Sequence, residues 1–320
     1  MVSNEAPQGR WLEGAQAAIC LTFDNMGEAA DLNRNLWPSS QAIGSHYSVT
    51  KMLPRFLQMA SYYSIPITYF AESWNLGVYP EAIKRIADEG HEVAWHAWQH
   101  ERWSVECKDE SDERRNFERS FGREEGIAGF LDAGGRGEGS KVQRYRGFRP
   151  PGGVIHGERT LKMCREYGLG YISPAAEEGA LVPIDGGDDS IVVLPFRWKT
   201  VDAYYYMEAF SGLRKAKGEL PEQPVSPRIL SSEYIRQIDE TIAKGGFLSL
   251  LFHPFLTDQD DRLSAMNEVL RHLTKRRAEG KVWLARCSDV EAWIRAHPDV
   301  VGDDPQWDDS TWEGAVSKGQ

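Results

Sequence analysis

The amino-acid sequence predicts an α/β fold, a single domain built as a closed barrel of seven or eight βα units. Short apolar runs alternate with amphipathic stretches from about residue 16 to 296, and neither an internal repeat nor a Gly/Ser or Pro-rich linker interrupts them. Length agrees: the 320 residues exceed one small domain, while α/β barrels of about 250 residues or more fold as one unit. A composition 41% hydrophobic and 27% charged is that of a globular protein with a sizeable core, which excludes collagen-like, low-complexity and wholly disordered chains.

The strand candidates are Ala17–Phe23, Ile67–Ala71, His91–Trp95, Gln143–Phe148, Leu169–Ile172, Ile191–Leu194, Phe247–Phe252 and Val282–Ala285. Most are short and apolar, as strands buried on both faces must be. Helices fit between them. Pro80–Glu89 ends at Gly90, a residue suited to a left-handed cap, and Ser231–Lys244 opens with Ser232 as N-cap candidate and ends at Gly245 and Gly246. Ser111–Leu131 places Phe117, Phe121, Ala128 and Leu131 on one helical face.

Two segments fall outside this rhythm. Asn25–Thr50 is a long polar connection, and such connections in compact domains are usually functional or disordered. The expected boundary is a barrel over residues 1–300 and an acidic tail over 301–320. In that tail Asp303, Asp304, Asp308, Asp309 and Glu313 face one base, Lys318. It is either solvated or, as Trp307 and Trp312 argue, packed on the barrel or a neighbouring subunit.

Charge and cysteine usage narrow the class. With 37 Lys plus Arg against 48 Asp plus Glu, a net −11, a sequence-independent grip on nucleic acid or an anionic membrane is excluded. Cys20, Cys107, Cys164 and Cys287 are far apart and suit a reducing compartment. No signal-peptide pattern is legible, and no apolar run approaches the ~18 residues of a membrane span, so a cytoplasmic protein is expected.

In a parallel α/β architecture, catalytic groups gather where strands end. The first strand candidate runs straight into Asp24 and Asn25, which are either a turn cap or site residues. The third is followed by His96 and His100, whose i, i+4 spacing on one helical turn lets two imidazoles grip one divalent cation; hydrogen-bonded loop histidines are the other reading. Next comes Arg146-Gly147-Phe148-Arg149-Pro150-Pro151-Gly152-Gly153, a stiff turn able to present backbone N–H groups and a guanidinium. Last, His253 ends the apolar run Leu250-Leu251-Phe252, as a satisfied core histidine or as a general acid.

Together, in this order over residues 17 to 253, these clusters resemble the polysaccharide deacetylase family, of carbohydrate esterase family four type. The resemblance implies a distorted (β/α) barrel, a divalent metal, usually zinc, and hydrolysis of an amide. It implies Asp24 as general base, Asn25, His96 and His100 as metal ligands, Arg149 as the arginine that orients the base, His253 as general acid and Gly152 N–H as oxyanion donor. Asn25 departs from the pattern, for the family has an acid there; a neutral amide weakens a dication site, and Glu28 or Asp31 are the substitutes to hand. Ala97 and Gly152 depart too and do not indicate a tight polysaccharide groove.

The C-terminal third, Gly245 to Pro254 followed by Arg262, Trp283 and Trp293, resembles the intracellular branch with allantoinase-like, cyclic-imide hydrolase and atypical peptidoglycan deacetylase members. Leu194-Pro195-Phe196-Arg197-Trp198 with Asp202 also resembles it, which implies Asp202 supporting His253 and Trp198 walling the pocket, unless the one is a turn acid and the other core. The branch further implies a homo-oligomer. Three functions are therefore in view: deacetylation of an N-acetylated sugar or polysaccharide, hydrolysis of a small linear or cyclic amide, ureide or imide, and weakly active carbohydrate binding through the 11 Trp and 12 Tyr.

Overall fold

The structure is a computed structural model that describes residues 9–187 and 189–310. Its strands are β1 (Ala17–Asp24), β2 (Ile67–Ala71), β3 (Glu92–Trp95), β4 (Gly147–Phe148), β5 (Tyr171–Ile172), β6 (Ala180–Pro183), β7 (Ser190–Val193), β8 (Phe196–Val201), β9 (Phe247–Phe252) and β10 (Val282–Leu284). They form one sheet in the order β6-β7-β5-β4-β3-β2-β1-β9-β8, with β10 on β1, and every pairing except β6 with β7 is parallel.

All eight residues of β1 are buried. One edge carries β9; the other carries β10 along Ala17–Ile19 and β2 along Leu21–Asp24. Apolar runs such as Ala17–Phe23 and Phe247–Phe252 form strands here because helices cover the sheet outside while side chains fill it inside. The barrel is distorted where it closes. Residues 190–201 pair with β5 through β7 and with β9 through β8, and Pro195, which has no N–H to give the ladder, separates the two. Across that break the Phe196 N–H donates to Pro174 O (3.0 Å) and the Ala176 N–H to Phe196 O (3.2 Å), joining the curled sheet to itself.

Several expectations shift. The edge strand β6 and the alternating β8 were not anticipated, since neither is a continuous apolar run. Gln143–Phe148 yields strand only at Gly147–Phe148. The expected helix over 111–131 is two helices, Glu110–Phe121 and Ile127–Asp132, because Gly122 is extended (φ −68°, ψ 173°) and ends the first. The helix expected from Ser231 begins one turn earlier, at Pro227, where proline's lack of an N–H is harmless, so Ser232 lies inside it. The glycine ends stand as expected: Gly90 and Gly245 have φ of +90° and +81°.

Within the described residues the chain after Val300 lies on the barrel. The Asp308 N–H donates to Ala175 O (3.1 Å), its carboxylate takes Lys217, and Trp307 bridges Ala176. Trp312 lies outside the described residues. Among those described, no helix is long and apolar enough to cross a membrane.

β4 takes a glycine because its neighbour crowds it. A Cβ on Gly147 would fall 1.9 Å from the ring of buried Tyr171, whose hydroxyl donates to Glu92 (2.9 Å). Gly147→Ala should therefore destabilise by about 1–3 kcal/mol, the range for overpacking a well-filled core. A urea transition that moves to lower midpoint with unchanged slope checks this; an unmoved midpoint contradicts it.

Candidate active site

The C-terminal strand ends converge as the sequence suggested. Asp24 closes β1, His96 follows β3, Arg149 follows β4, Asp202 follows β8 and His253 follows β9. Asp24, Asn25, His96, His100, Gly152, Trp198 and His253 line one cavity of about 350 Å³. Arg149 and Asp202 lie behind it, both fully buried.

Arg149 organises this layer. Its Nη1 donates to Asp24 Oδ1 (2.8 Å) and Thr22 Oγ1 (2.9 Å), its Nη2 to Ser173 Oγ (2.9 Å) and Ser249 Oγ (3.0 Å), and its Nε to Ser173 Oγ (3.1 Å). The guanidinium also lies 4.0 Å over the Phe70 ring. All five of its N–H donors are thus used, which makes a buried cation tolerable. The pairing holds Asp24 by one oxygen and leaves Oδ2 3.9 Å from His96 Nε2.

His96 is oriented from behind as well. Its Nδ1 lies 2.7 Å from Arg149 O, an acceptor, so Nδ1 carries the proton and Nε2 turns a lone pair toward Asp24. Burial pushes its pKa down to about 4, so the ring is neutral. The expected helical turn is absent. Ala97 and His100 have φ of +64° and +63°, and the N–H groups of Trp98 and Gln99 donate to Glu101 Oε2 (3.1 and 2.9 Å) in place of helix carbonyls. The imidazoles still meet, with ring centroids 4.9 Å apart.

His253 lines the same cavity, with Asp202 buried behind it. Asp202 Oδ1 accepts from His253 Nδ1 (2.5 Å) and Oδ2 from its backbone N–H (2.8 Å), which fixes ring and tautomer. Burial alone would lower the His253 pKa, yet the Asp202 charge and hydrogen bond outweigh it and hold it above the ordinary value. Nε2 is the nitrogen that carries the second proton when the ring is charged.

The proline–glycine turn is explained by its geometry. The Gly153 N–H donates to Pro150 O (2.9 Å), with Pro151 and Gly152 between them and φ +85° at Gly152, the pattern of a type II turn. Pro151 O accepts from the Trp103 N–H (3.2 Å). Because a trans peptide points its two polar groups in opposite directions, the Gly152 N–H is aimed away from Trp103, and Gly152 itself lines the cavity. Phe196, Trp198 and Phe210, with centroids 5.3 and 5.7 Å apart, build an aromatic wall there.

Three features were not anticipated. Ser173 follows β5, where the same positional rule would have found it, whereas Ser249 lies inside β9, where that rule gives no signal. Glu72, just after β2, accepts from the Met26 N–H (2.9 Å) and Asn75 Nδ2 (3.2 Å), tying down the turn after Asp24; burial pushes its pKa up to about 8. Arg34 belongs to the long polar connection and shows no pattern in the sequence, yet it lines the cavity and its Nη2 lies 2.9 Å from His100 Nδ1.

That contact bears on the metal expected from the resemblance. A guanidinium only donates, so His100 Nδ1 spends its lone pair on Arg34 and the neutral ring carries its proton on Nε2. His100 therefore offers no lone pair to a cation as arranged, Asn25 brings no charge, and a fixed positive charge already stands beside them. Nor do the two proposed substitutes serve. Glu28 is taken by the Gly44 N–H and Tyr79 OH (both 2.5 Å), and Asp31 stands 4.0 Å from His46. Among the described residues no group of three His, Cys, Asp or Glu is placed to hold a metal ion. As they stand, these residues do not fit a dication.

The Arg149 arrangement sets an energetic expectation. Arg149→Met should destabilise by about 3–5 kcal/mol, because it strands the Asp24 carboxylate in the interior. Adding Asp24→Asn should recover part of that loss in a double-mutant cycle read by urea denaturation; strictly additive losses would mean that the pair is not coupled.

Known proteins share this fold. The model of the polysaccharide deacetylase family matches residues 13–172. The peptidoglycan deacetylase of Helicobacter pylori is 21% identical over 256 residues, 77% of this chain and 85% of that protein. A Mycobacterium smegmatis structure assigned to the polysaccharide deacetylases shares the fold with a TM-score of 0.71 at 23% identity, covering 92% of this chain and 95% of the other. An allantoinase structure does so with a TM-score of 0.67 at 17% identity, covering 92% and 96%. The family model covers half of the chain, which therefore belongs to the polysaccharide deacetylase family and is a hydrolase of carbon–nitrogen bonds other than peptide bonds.

Proposed function

We propose that this hydrolase acts on a small amide, ureide or imide with an apolar substituent. The observation that carries this reading is the cavity: about 350 Å³, walled mainly by Leu36, Phe196, Trp198, Val201, Met207, Phe210, Leu251 and Phe255. That volume suits a small molecule, and its polar groups are gathered at one end, where a single amide can meet them. A polysaccharide groove needs hydrogen-bonding groups spread along its length.

The chemistry follows from the side chains. Asp24 Oδ2, the oxygen not held by Arg149, takes a proton from water, whose oxygen attacks the carbonyl carbon. The Gly152 N–H donates to the oxygen that gains charge. When the C–N bond breaks, the nitrogen takes the Nε2 proton of His253, with Asp202 stabilising the imidazolium until then. Trp198 shapes the wall against which the substituent packs.

The second reading, deacetylation of an N-acetylated sugar, is favoured by the relationship to the Helicobacter pylori enzyme and by aromatic rings able to stack on a sugar. Zinc assistance belongs with that reading and requires Arg34 to leave His100. Assay of cyclic imides, allantoin and small amides beside N-acetylated chitooligosaccharides separates the two. Turnover of the small compounds is expected, and turnover confined to the sugars overturns the first reading. Asp24→Asn and His253→Ala should each lower kcat about 10²–10⁴-fold, the usual worth of a positioned base or acid.

The pH dependence has a definite sign. His253 is held above its ordinary value, so its donor form persists past about pH 6.5 and is lost as pH rises through the elevated pKa. The alkaline limb of kcat/KM should lie above that point and move to lower pH in Asp202→Asn. A limb that stays in place would remove His253 from proton donation.

A further inference from the structure

Asp24 and His96 stand at the ends of β1 and β3, and both line the cavity. Each is fixed by a bond to the same arginine: Asp24 Oδ1 accepts from Arg149 Nη1 (2.8 Å), and His96 Nδ1 donates to Arg149 O (2.7 Å). The atoms left over are two acceptors, Asp24 Oδ2 and His96 Nε2, 3.9 Å apart. That separation is too long for a direct hydrogen bond. The imidazole is held there, since the His96 backbone N–H donates to Ala71 O (3.0 Å) and the ring packs edge-on against His100, with centroids 4.9 Å apart.

Two lone pairs held side by side with no proton between them repel, and burial raises that cost. A water molecule removes it. Water carries two donors, and an oxygen about 2.8 Å from both acceptors meets them about 90° apart, close to the angle between its own O–H bonds. With both protons so directed, the lone pairs of the water oxygen are turned the other way, as a nucleophile's must be. A metal ion is the other occupant such a pair could hold, but it needs further ligands, and His100 Nδ1 is engaged with Arg34 while Asn25 brings no charge.

We propose that His96 is a catalytic residue that holds the attacking water by its second proton: Asp24 Oδ2 accepts one O–H and His96 Nε2 the other. The proposal rests on the hydrolase reading above and deepens it. Asp24 takes the first proton as the water oxygen bonds to the carbonyl carbon and the π pair moves onto the carbonyl oxygen. The second proton stays on the former water oxygen, donating to His96, so the imidazole ends as it began. When the π pair returns, the C–N bond breaks and the nitrogen takes its proton from His253 Nε2. The products are a carboxylic acid, whose O–H is the second one of the water, and an amine. Asp24, now protonated, and His253, now neutral, are restored when the first proton passes between them through solvent. Arg149 then governs both protons of the nucleophile, one through its side chain and one through its backbone carbonyl.

The test uses two variants of the whole chain that separate the bond to Arg149 from the contact with water. His96→Asn keeps an N–H near Nδ1 for Arg149 O and removes the Nε2 acceptor, whereas His96→Gln reaches the Nε2 position with an amide oxygen. On whichever class of compound the wild type turns over, His96→Asn should lose about 10²-fold in kcat, the cost of a misplaced reacting group, with KM little changed, and His96→Gln should keep more. Methanol, whose single O–H cannot serve both acceptors, is added as a competing nucleophile. The ratio of methyl ester to acid should rise about 2–10-fold in His96→Asn, the worth of one hydrogen bond. Nitrogen NMR of the histidine-labelled wild type, with His96 assigned by its loss in His96→Asn, should show a neutral ring protonated on Nδ1, and turnover should survive dialysis against a chelator. Circular dichroism melts control for folding; should His96→Asn fail to fold, His96→Gln supplies the assignment, and the tautomer and chelator readouts stand. An Nε2-protonated ring, an unchanged ester-to-acid ratio, wild-type kcat in His96→Asn, or chelator-sensitive turnover each overturns the proposal. If only N-acetylated sugars are turned over, the small-amide reading falls and the same readouts still decide the role of His96; if no compound is turned over, the tautomer decides it.

Discussion

The interaction on which the site depends is the burial of Arg149 in the barrel with all five of its donors met. Thr22 and Asp24 come from β1, Ser249 from β9, Ser173 from the end of β5 and the arginine itself from the end of β4. One planar group therefore ties strands on opposite sides of the barrel into a single geometry. A buried cation with any donor unmet would be costly, so the strand register that brings these hydroxyls together is enforced electrostatically as well as by packing. The same residue sets two reactive atoms: its side chain selects which Asp24 oxygen is exposed, and its backbone carbonyl selects the His96 tautomer. His253 is governed in the same manner by Asp202, which receives both its ring and backbone N–H.

Around this polar layer the cavity is divided by chemistry. One end carries Asp24, His96, His100, Arg34 and His253; the rest is aromatic and aliphatic. Such a division orients a small ligand strongly, since an amide in the apolar part would lose its hydrogen bonds and an apolar group at the charged end would desolvate it. The burial that suits the apolar part also drives His96 and His100 toward neutrality, so the cationic character of the site comes from the guanidinium and the imidazolium.

Much of the fold was legible because its signals are local. Fully buried strands are short apolar runs, and Ala17–Phe23 and Phe247–Phe252 appear where those runs occur. Glycines that need positive φ mark the helix ends at Gly90 and Gly245. What escaped is non-local or compensated. β8 alternates because only one face of it turns inward, and β6 is an edge strand on β7 with exposed positions. The break at Gly122 is hidden by an apolar spacing that continues on its far side.

The site divides likewise. Order along the chain determined that Asp24, His96, Arg149 and His253 stand at strand ends, since in a parallel barrel every such end lies on one face. It also determined the proline–glycine turn, because Pro151 and Gly152 satisfy the backbone angles of that turn through their own covalent structure. Only the tertiary structure decided what faces those residues. That His96 and His100 meet through left-handed turns and not a helix, that Glu28 serves Tyr79, and that Arg34 reaches His100 across 66 positions of sequence all depend on the path of a long connection. No periodicity encodes that path; it is set by which buried polar groups, many residues apart, must be satisfied at once.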